Sequence, residues 1–180
     1  MKKLLTIIPL VILLCFTFGC QDKEAMAELE AMKAQAEVEE QNKELVKRYI
    51  EEMNKGNIEI INEVFAPECD FYYPSNRPKP ISREQNIEGL KIGFRAFPDM
   101  NQSIEELFAV GDSVIVRIIN TGTHEGDFPG IPATGNKIEY SGIIIVRIEN
   151  GIIVEQKIEI DILSFYRQLG MELKPKEAEK

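Results

Sequence analysis

The chain has 180 residues, of which 30 are Asp or Glu and 21 are Lys or Arg, so its formal net charge is −9 at pH 7. An acidic chain without a large basic cluster lacks the charge that grips phosphate groups, which argues against nucleic acid as a partner. About 140 residues remain after the N-terminal segments described next, enough for one domain with its own hydrophobic core.

The chain opens with the features of an export signal. Met1-Lys2-Lys3 is basic, the stretch from Leu4 to Phe18 is apolar, and the small Gly19 precedes Cys20. This order is typical of a signal peptide. A transmembrane helix is the alternative, but a span needs about 20 apolar residues, more than this stretch supplies. We therefore predict a signal peptide over residues 1–19.

Cys20 is the predicted attachment point of a lipid. A small residue directly before a cysteine, at the end of an apolar run, resembles the bacterial lipobox, which implies cleavage before Cys20 and acylation of its thiol. Each buried CH₂ of an acyl chain contributes ~0.8 kcal/mol to membrane binding, so several chains hold a domain firmly. We expect a membrane-anchored lipoprotein in the bacterial cell envelope, outside the cytoplasm. Its remaining thiol, Cys69, is predicted to be a buried small apolar residue.

Residues 20–42 are predicted to form a charged helical tether. From residue 21 onward they are rich in Ala, Glu, Lys and Met and contain neither Gly nor Pro, a composition that favours a solvated helix. The alternative is a partner-binding helix that uses the thin apolar stripe of Met26, Leu29 and Met32. A folded domain is expected over 43–172, followed by a charged tail over 173–180.

The first half of this domain is predicted to be mainly helical. Apolar residues at helical spacing mark a first helix through 45–53, which Lys55-Gly56 ends. A second short helix over 58–65 and an aromatic strand over 69–73 follow. Ser82-Arg83-Glu84-Gln85 has the form of a capping box and begins a third helix, which stops before Pro98.

The second half is predicted to be a sheet. Four long strands are expected, with hairpin turns at Gly111-Asp112 and Asn150-Gly151; the strands cover 101–110, 114–124, 137–148 and 152–162. This order predicts an α+β fold in which a curved antiparallel sheet wraps around three N-terminal helices and encloses a pocket. Because Ile143–Val146 is apolar on both faces, we also expect a homodimer that covers the outer face.

Four stretches, in this order, resemble the SnoaL-like polyketide cyclase or ester cyclase family, which has the nuclear transport factor 2-like fold. The similarity covers roughly residues 42–172, and its most specific part is GTHEGDFPGIPATGNKI at 122–138. The others are NKELVKRYIEEMNKGNIEIINEVFAPE at 42–68, FPDMNQSIEELFAVGDSVIVR at 97–117 and NGIIVEQKIEIDILSFYRQLG at 150–170. The chain departs from many members at Gln156-Lys157, where they carry His-Trp.

The resemblance implies cofactor-free and metal-free ring closure by intramolecular aldol condensation, with Asp161 as the general acid and base. Burial would raise the pKa of such a carboxylate and so make it a better base. However, period-two alternation places Asp161 on one face with Glu155, Lys157 and Glu159, which leaves open whether it faces a pocket, solvent or a dimer contact.

His124 matches the histidine of the family's GTHxG motif. It is interpreted either as a donor or proton relay at the pocket mouth or as a strand-end histidine that loop backbone satisfies. Tyr73, Phe128 and Tyr140 are candidate pocket walls, although core aromatics have the same sequence pattern.

Three functions follow as hypotheses. The first is an enzyme that acts on a small hydrophobic carbonyl compound, and the second is a noncatalytic module that holds a hydrophobic ligand. The third is a structural, dimeric lipoprotein domain. A fold of this kind hosts many functions, so the functional site must decide among them.

Overall fold

A computed structural model describes residues 4–172 and 174, with side chains described from residue 23 onward. Signal cleavage, the Cys20 side chain and most of the tail at 173–180 therefore lie outside the described residues. Of the helices that are described, none is both long and apolar enough to cross a membrane.

The chain divides into two compact units, residues 1–38 and 39–180. Helix α1 runs over Leu4–Asn54, so the predicted tether is helical. Within the first unit the apolar side chains of Met26, Leu29 and Met32 are exposed. The predicted folded domain lies in the second unit.

The second unit has the predicted α+β composition. Helix α2 (Ile60–Val64) and strand β1 (Phe65–Tyr72) follow α1, and helix α3 (Arg83–Ala96) precedes four further strands. These are β2 (Asn101–Val110), β3 (Ser113–Thr123), β4 (Lys137–Glu149) and β5 (Ile152–Ile160), and α4 (Ile162–Gln168) follows them. The five strands form one curved, unclosed sheet in the order β1-β5-β4-β3-β2.

Several sequence signals act as predicted. Ser82 accepts a hydrogen bond from Gln85 N, and the Gln85 side chain accepts one from Ser82 N, so the capping box at the start of α3 is confirmed. Asn150 and Gly151 both have positive φ, as a tight hairpin between β4 and β5 requires. Cys69 is buried, as predicted, and burial raises the pKa of its thiol to about 12.

Two strand boundaries and one strand pairing differ from the predictions. Strand β1 begins at Phe65 rather than Cys69, because Pro67 falls in an irregular stretch of an edge strand, where a missing N–H costs little. Strand β1 pairs with β5 in parallel, so the sheet is not wholly antiparallel. Strand β5 ends at Ile160 rather than 162, since Asp161 caps α4 by accepting from Ser164 N.

Two apolar clusters form the core of the second unit. The larger one joins the end of α1 and helix α2 to the middle strands, through Val46, Ile50, Ile61, Val116 and Ile144 among others. The smaller one joins Ala96 and Phe97 to β4 and α4, and its other buried members are Ile131, Ile138, Phe165 and Leu169. The smaller cluster surrounds the residues from which the site is built.

Candidate active site

His124 lies at the end of the sheet where α3, the loop after β3 and α4 meet. Its backbone N–H donates to Asn136 O and its carbonyl accepts from Gly135 N, so the C-terminal end of the long loop is bonded to it. The loop is also tied to α3, because Glu125 N and Gly126 N both donate to Ala96 O. These backbone bonds, rather than a regular strand, set the position of the imidazole.

Gly126 is required for this arrangement. A Cβ atom at this position would lie 2.2 Å from Arg95 O and 3.0 Å from the Arg95 carbonyl carbon. Both are backbone atoms, which cannot turn away as a flexible side chain can. The close approach of the loop to α3 therefore explains the glycine of the GTHEG stretch.

A second contact holds the strand just before His124. Asp99, in the turn between α3 and β2, accepts from Thr123 N at 2.6 Å and from the Thr123 hydroxyl at 2.7 Å. These hydrogen bonds lower the pKa of the Asp99 carboxyl. The residues before and after His124 in the chain are thus attached to the turn that follows α3 and to the end of α3.

The His124 side chain is fully buried at 0% exposure. Its Nδ1 lies 3.3 Å from Thr134 N and 3.0 Å from the Thr134 hydroxyl oxygen. A backbone N–H only donates, so Nδ1 accepts, and in the neutral ring Nε2 carries the proton. Nε2 is buried and has no hydrogen-bond partner among the described residues, which costs about 1–3 kcal/mol unless an acceptor is supplied.

An aromatic cluster surrounds this unpartnered donor. The Phe97 ring stacks on the imidazole, with ring centroids 5.0 Å apart. Phe165 of α4 is the hub of the cluster, because its ring contacts those of four other residues at 5.2–5.8 Å. These four are Phe97, Phe128, Tyr140 and Tyr166. The imidazole is thus packed against an apolar aromatic cluster.

The predicted residues fall into two places. The aromatic cluster brings together His124, Phe128 and Tyr140. The Tyr73 hydroxyl is near enough to that of Tyr140 for the two groups to interact electrostatically. Asp161 instead lines an open groove of about 200 Å³, together with Arg117, Ser141, Gly142, Ile143, Glu159 and Ile160. Its carboxylate is exposed, and in the described part of the chain it makes no hydrogen bond to His124.

Sequence reasoning missed two residues of the cluster, Phe97 and Phe165. The sequence predicts Phe97 only as part of the third helix, which stops before Pro98, whereas it caps α3 and stacks on His124. Phe165 belongs to the matched stretch at 150–170, but its role as hub depends on α4 folding back over the sheet. The signal available in the sequence was that each lies within a stretch shared with the family.

The chain resembles a known family over most of its length. The family model described as SnoaL-like polyketide cyclase matches residues 43–169. Aklanonic acid methyl ester cyclase DauD from Streptomyces sp. (strain C5) is 29% identical over 133 residues, which cover 71% of this chain and 80% of that protein.

Solved structures give the same result. AclR from Streptomyces galilaeus, a proposed hydroxylase, is 25% identical with a TM-score of 0.69, over 73% of this chain and 97% of its own. IdmH from Streptomyces antibioticus, a proposed polyketide cyclase, is 26% identical with a TM-score of 0.63, over 72% and 99%. The expected nuclear transport factor 2-like fold is therefore confirmed.

Proposed function

Because the chain belongs to the SnoaL-like polyketide cyclase family, we propose that its domain binds a small hydrophobic carbonyl compound and closes a ring in it by acid/base chemistry. The observation that carries the proposal is the buried, unpartnered Nε2–H of His124, whose ring stacks on Phe97 of the aromatic cluster. A ligand carbonyl oxygen is the acceptor that this donor lacks. The rings supply apolar contact for the rest of the molecule.

The chemistry balances without a cofactor. A base removes a proton from the carbon next to a carbonyl, and the Nε2–H of His124 stabilises the negative charge that develops on the oxygen. The resulting enolate carbon attacks a second carbonyl carbon of the same molecule, which forms one C–C bond. The new alkoxide then takes the proton back from the protonated base.

Asp161 is the proposed base. One of its carboxylate oxygens accepts from Ser164 N at 2.9 Å. The residue begins α4, the helix that carries the hub ring Phe165, and its carbonyl accepts from Phe165 N, so the base and the aromatic cluster are joined through the first turn of α4. The proposed roles are proton transfer for Asp161 and oxyanion stabilisation for His124.

Aklanonic acid methyl ester, the compound for which the relative is named, is the first substrate to test. We expect the purified chain to cyclise it and Asp161→Asn to turn over at least about 100-fold more slowly, since a general acid or base contributes about 10²–10⁴-fold. Asparagine keeps the oxygen that caps α4, so the variant stays folded. Asp70→Asn, an exposed carboxylate on β1, is the control. Equal rates for wild type and Asp161→Asn would eliminate Asp161 as the base.

The exposure of Asp161 favours a second candidate, a domain that holds the ligand without chemistry. In that case native mass spectrometry of gently purified protein would show a retained hydrophobic molecule, and the chain would cyclise none of the carbonyl substrates. His124→Phe keeps a ring but loses the donor, so the retained molecule would be lost. Protein that is empty in repeated preparations would contradict this candidate.

We also propose that the protein is a homodimer. The outer face of the sheet carries an apolar stripe, defined as Phe108, Ile115, Ile143 and Ile145, whose side chains are 40–56% exposed. The stripe crosses β2, β3 and β4, because Phe108 pairs with Ile115 and Ile115 with Ile145. Arg117–Glu105 and Arg147–Glu149 ion pairs flank it. An apolar centre with a charged rim is typical of a subunit interface.

Ile145→Glu is therefore expected to convert the dimer to a monomer. A two-fold axis places the substitution in both subunits, so two carboxylates would be buried in one interface. Sedimentation velocity measures the change in mass. Ile145→Val keeps an apolar side chain and should remain dimeric. A monomeric wild type at micromolar concentration would disprove this proposal.

Membrane attachment through Cys20 completes the proposal, and it places the ligand outside the cytoplasm, in the bacterial cell envelope. The supporting observation is the order of basic start, apolar run, Gly19 and Cys20. Cells fed radiolabelled palmitate should label the wild-type protein and leave Cys20→Ser unlabelled. Cys69→Ser, which removes the buried thiol, should be labelled like wild type. Label on the Cys20→Ser variant would refute the anchor.

A further inference from the structure

Three tyrosines from different elements converge at the edge of the aromatic cluster. Tyr73 follows the last residue of β1, Tyr140 lies on β4 and Tyr166 on α4. Tyr140 and Tyr166 both contact the Phe165 ring, with centroids 5.2 and 5.3 Å away. The Tyr73 hydroxyl is near enough to the hydroxyls of Tyr140 and Tyr166 to interact with them electrostatically. We call these three residues the tyrosine rim.

The rim is held in place by contacts that leave its hydroxyl groups free. Glu159 of β5 accepts from Ser75 N at 3.0 Å and also from the Ser75 hydroxyl, so the loop that follows Tyr73 is attached to β5. Tyr140 sits within a paired strand, opposite Asn120. None of the three hydroxyls has a hydrogen-bond partner among the residues that the structure describes.

The rim is accessible from outside and apolar beneath. Tyr73 is 42% and Tyr166 36% exposed, whereas Tyr140 lies deeper. Burial raises the pKa of Tyr73 to about 12 and raises the pKa of Tyr140 as well. The two hydroxyls are therefore neutral hydrogen-bond donors at physiological pH.

We propose that the tyrosine rim binds the oxygen atoms of a planar, largely apolar carbonyl compound, and that Tyr166 is a specificity-determining residue of this site. The inference rests on the proposed function, because it names the groups that recognise the oxygens of the same ligand. The exposed rings of Tyr73 and Tyr166 supply apolar contact, and the hydroxyls supply donors. A ligand that lacks oxygen cannot accept hydrogen bonds from these hydroxyls and should bind less tightly.

Fluorene and 9-fluorenone are suitable probes, since both are planar tricyclic molecules and 9-fluorenone has a carbonyl group where fluorene has CH₂. We expect equilibrium dialysis with the full chain to show about tenfold tighter binding of 9-fluorenone, because one or two hydrogen bonds of about 1 kcal/mol each are gained. Tyr166→Phe and Tyr140→Phe should each lose most of this preference while the affinity for fluorene stays the same. Tyr72→Phe, the neighbouring tyrosine whose ring lies below the Lys157 ammonium, is the control and should keep the preference.

Three outcomes would overturn the tyrosine-rim proposal. These are equal affinity for the two probes, no binding of either, or an undiminished preference for 9-fluorenone in every rim variant. The same variants are assayed for cyclisation in parallel. Cyclisation that depends on Asp161 without a preference for 9-fluorenone would refute the rim and leave the proposed function in place. A preference that depends on Tyr166 without turnover would support the rim and count against the catalytic proposal.

Discussion

Gly126→Ala is expected to destabilise the domain by roughly 3 kcal/mol, at the upper end of the cost of forcing extra atoms into a packed site. The new methyl group would lie 2.2 Å from Arg95 O, so the loop would have to leave α3 and give up the bonds of Glu125 N and Gly126 N to Ala96 O. These bonds also position His124. Urea denaturation measures the loss, and cyclisation or ligand retention should fall with it.

Gly89→Ala is the matched control for this substitution. Gly89 lies within α3, and a Cβ atom there would meet no other atom within 4 Å. Alanine favours helix over glycine by up to about 1 kcal/mol, so this variant should be as stable as wild type or more stable. A Gly126→Ala protein with wild-type stability would show that the loop does not approach α3 as described.

Phe165→Ala is expected to cost about 3–5 kcal/mol, the range for removing a large buried aromatic side chain. Phe165 is 4% exposed and contacts Phe97, Phe128, Tyr140 and Tyr166. Its loss would leave a cavity beside His124 and detach α4 from the sheet. Urea denaturation gives the free energy, and the near-ultraviolet circular dichroism of the tyrosines should weaken because their rings lose a fixed neighbour.

Ile162→Ala is the control on the same helix. Ile162 is 45% exposed, and substitutions at exposed positions usually change stability by no more than about 0.5 kcal/mol. Comparison of Phe165→Ala with Ile162→Ala distinguishes the loss of the hub ring from a general weakening of α4. Equal costs for the two variants would contradict the role given to Phe165.

Local signals in the sequence predicted most of the elements. The capping box at Ser82, the Asn150-Gly151 turn and the alternating apolar residues of β2 to β5 are each decided by neighbours within a few positions. For the same reason, the predicted element boundaries were wrong where a residue distant in the sequence determines the structure. In isolation Pro67 predicts a break between the second helix and the strand, but β1 is an edge strand and tolerates it.

The site likewise combines features that local sequence predicts with contacts that only the tertiary structure decides. His124 was recognised because its motif is contiguous, and the α+β order of helices and strands followed from periodicity. The contacts of His124 with Phe97, Thr134 and the Phe165 cluster were not predictable, because they depend on loop backbone approaching α3 and on α4 folding over the sheet. Asp161 could in principle continue strand β5 or cap helix α4. Its side chain accepts from Ser164 N, so it caps α4 and the strand ends one residue earlier.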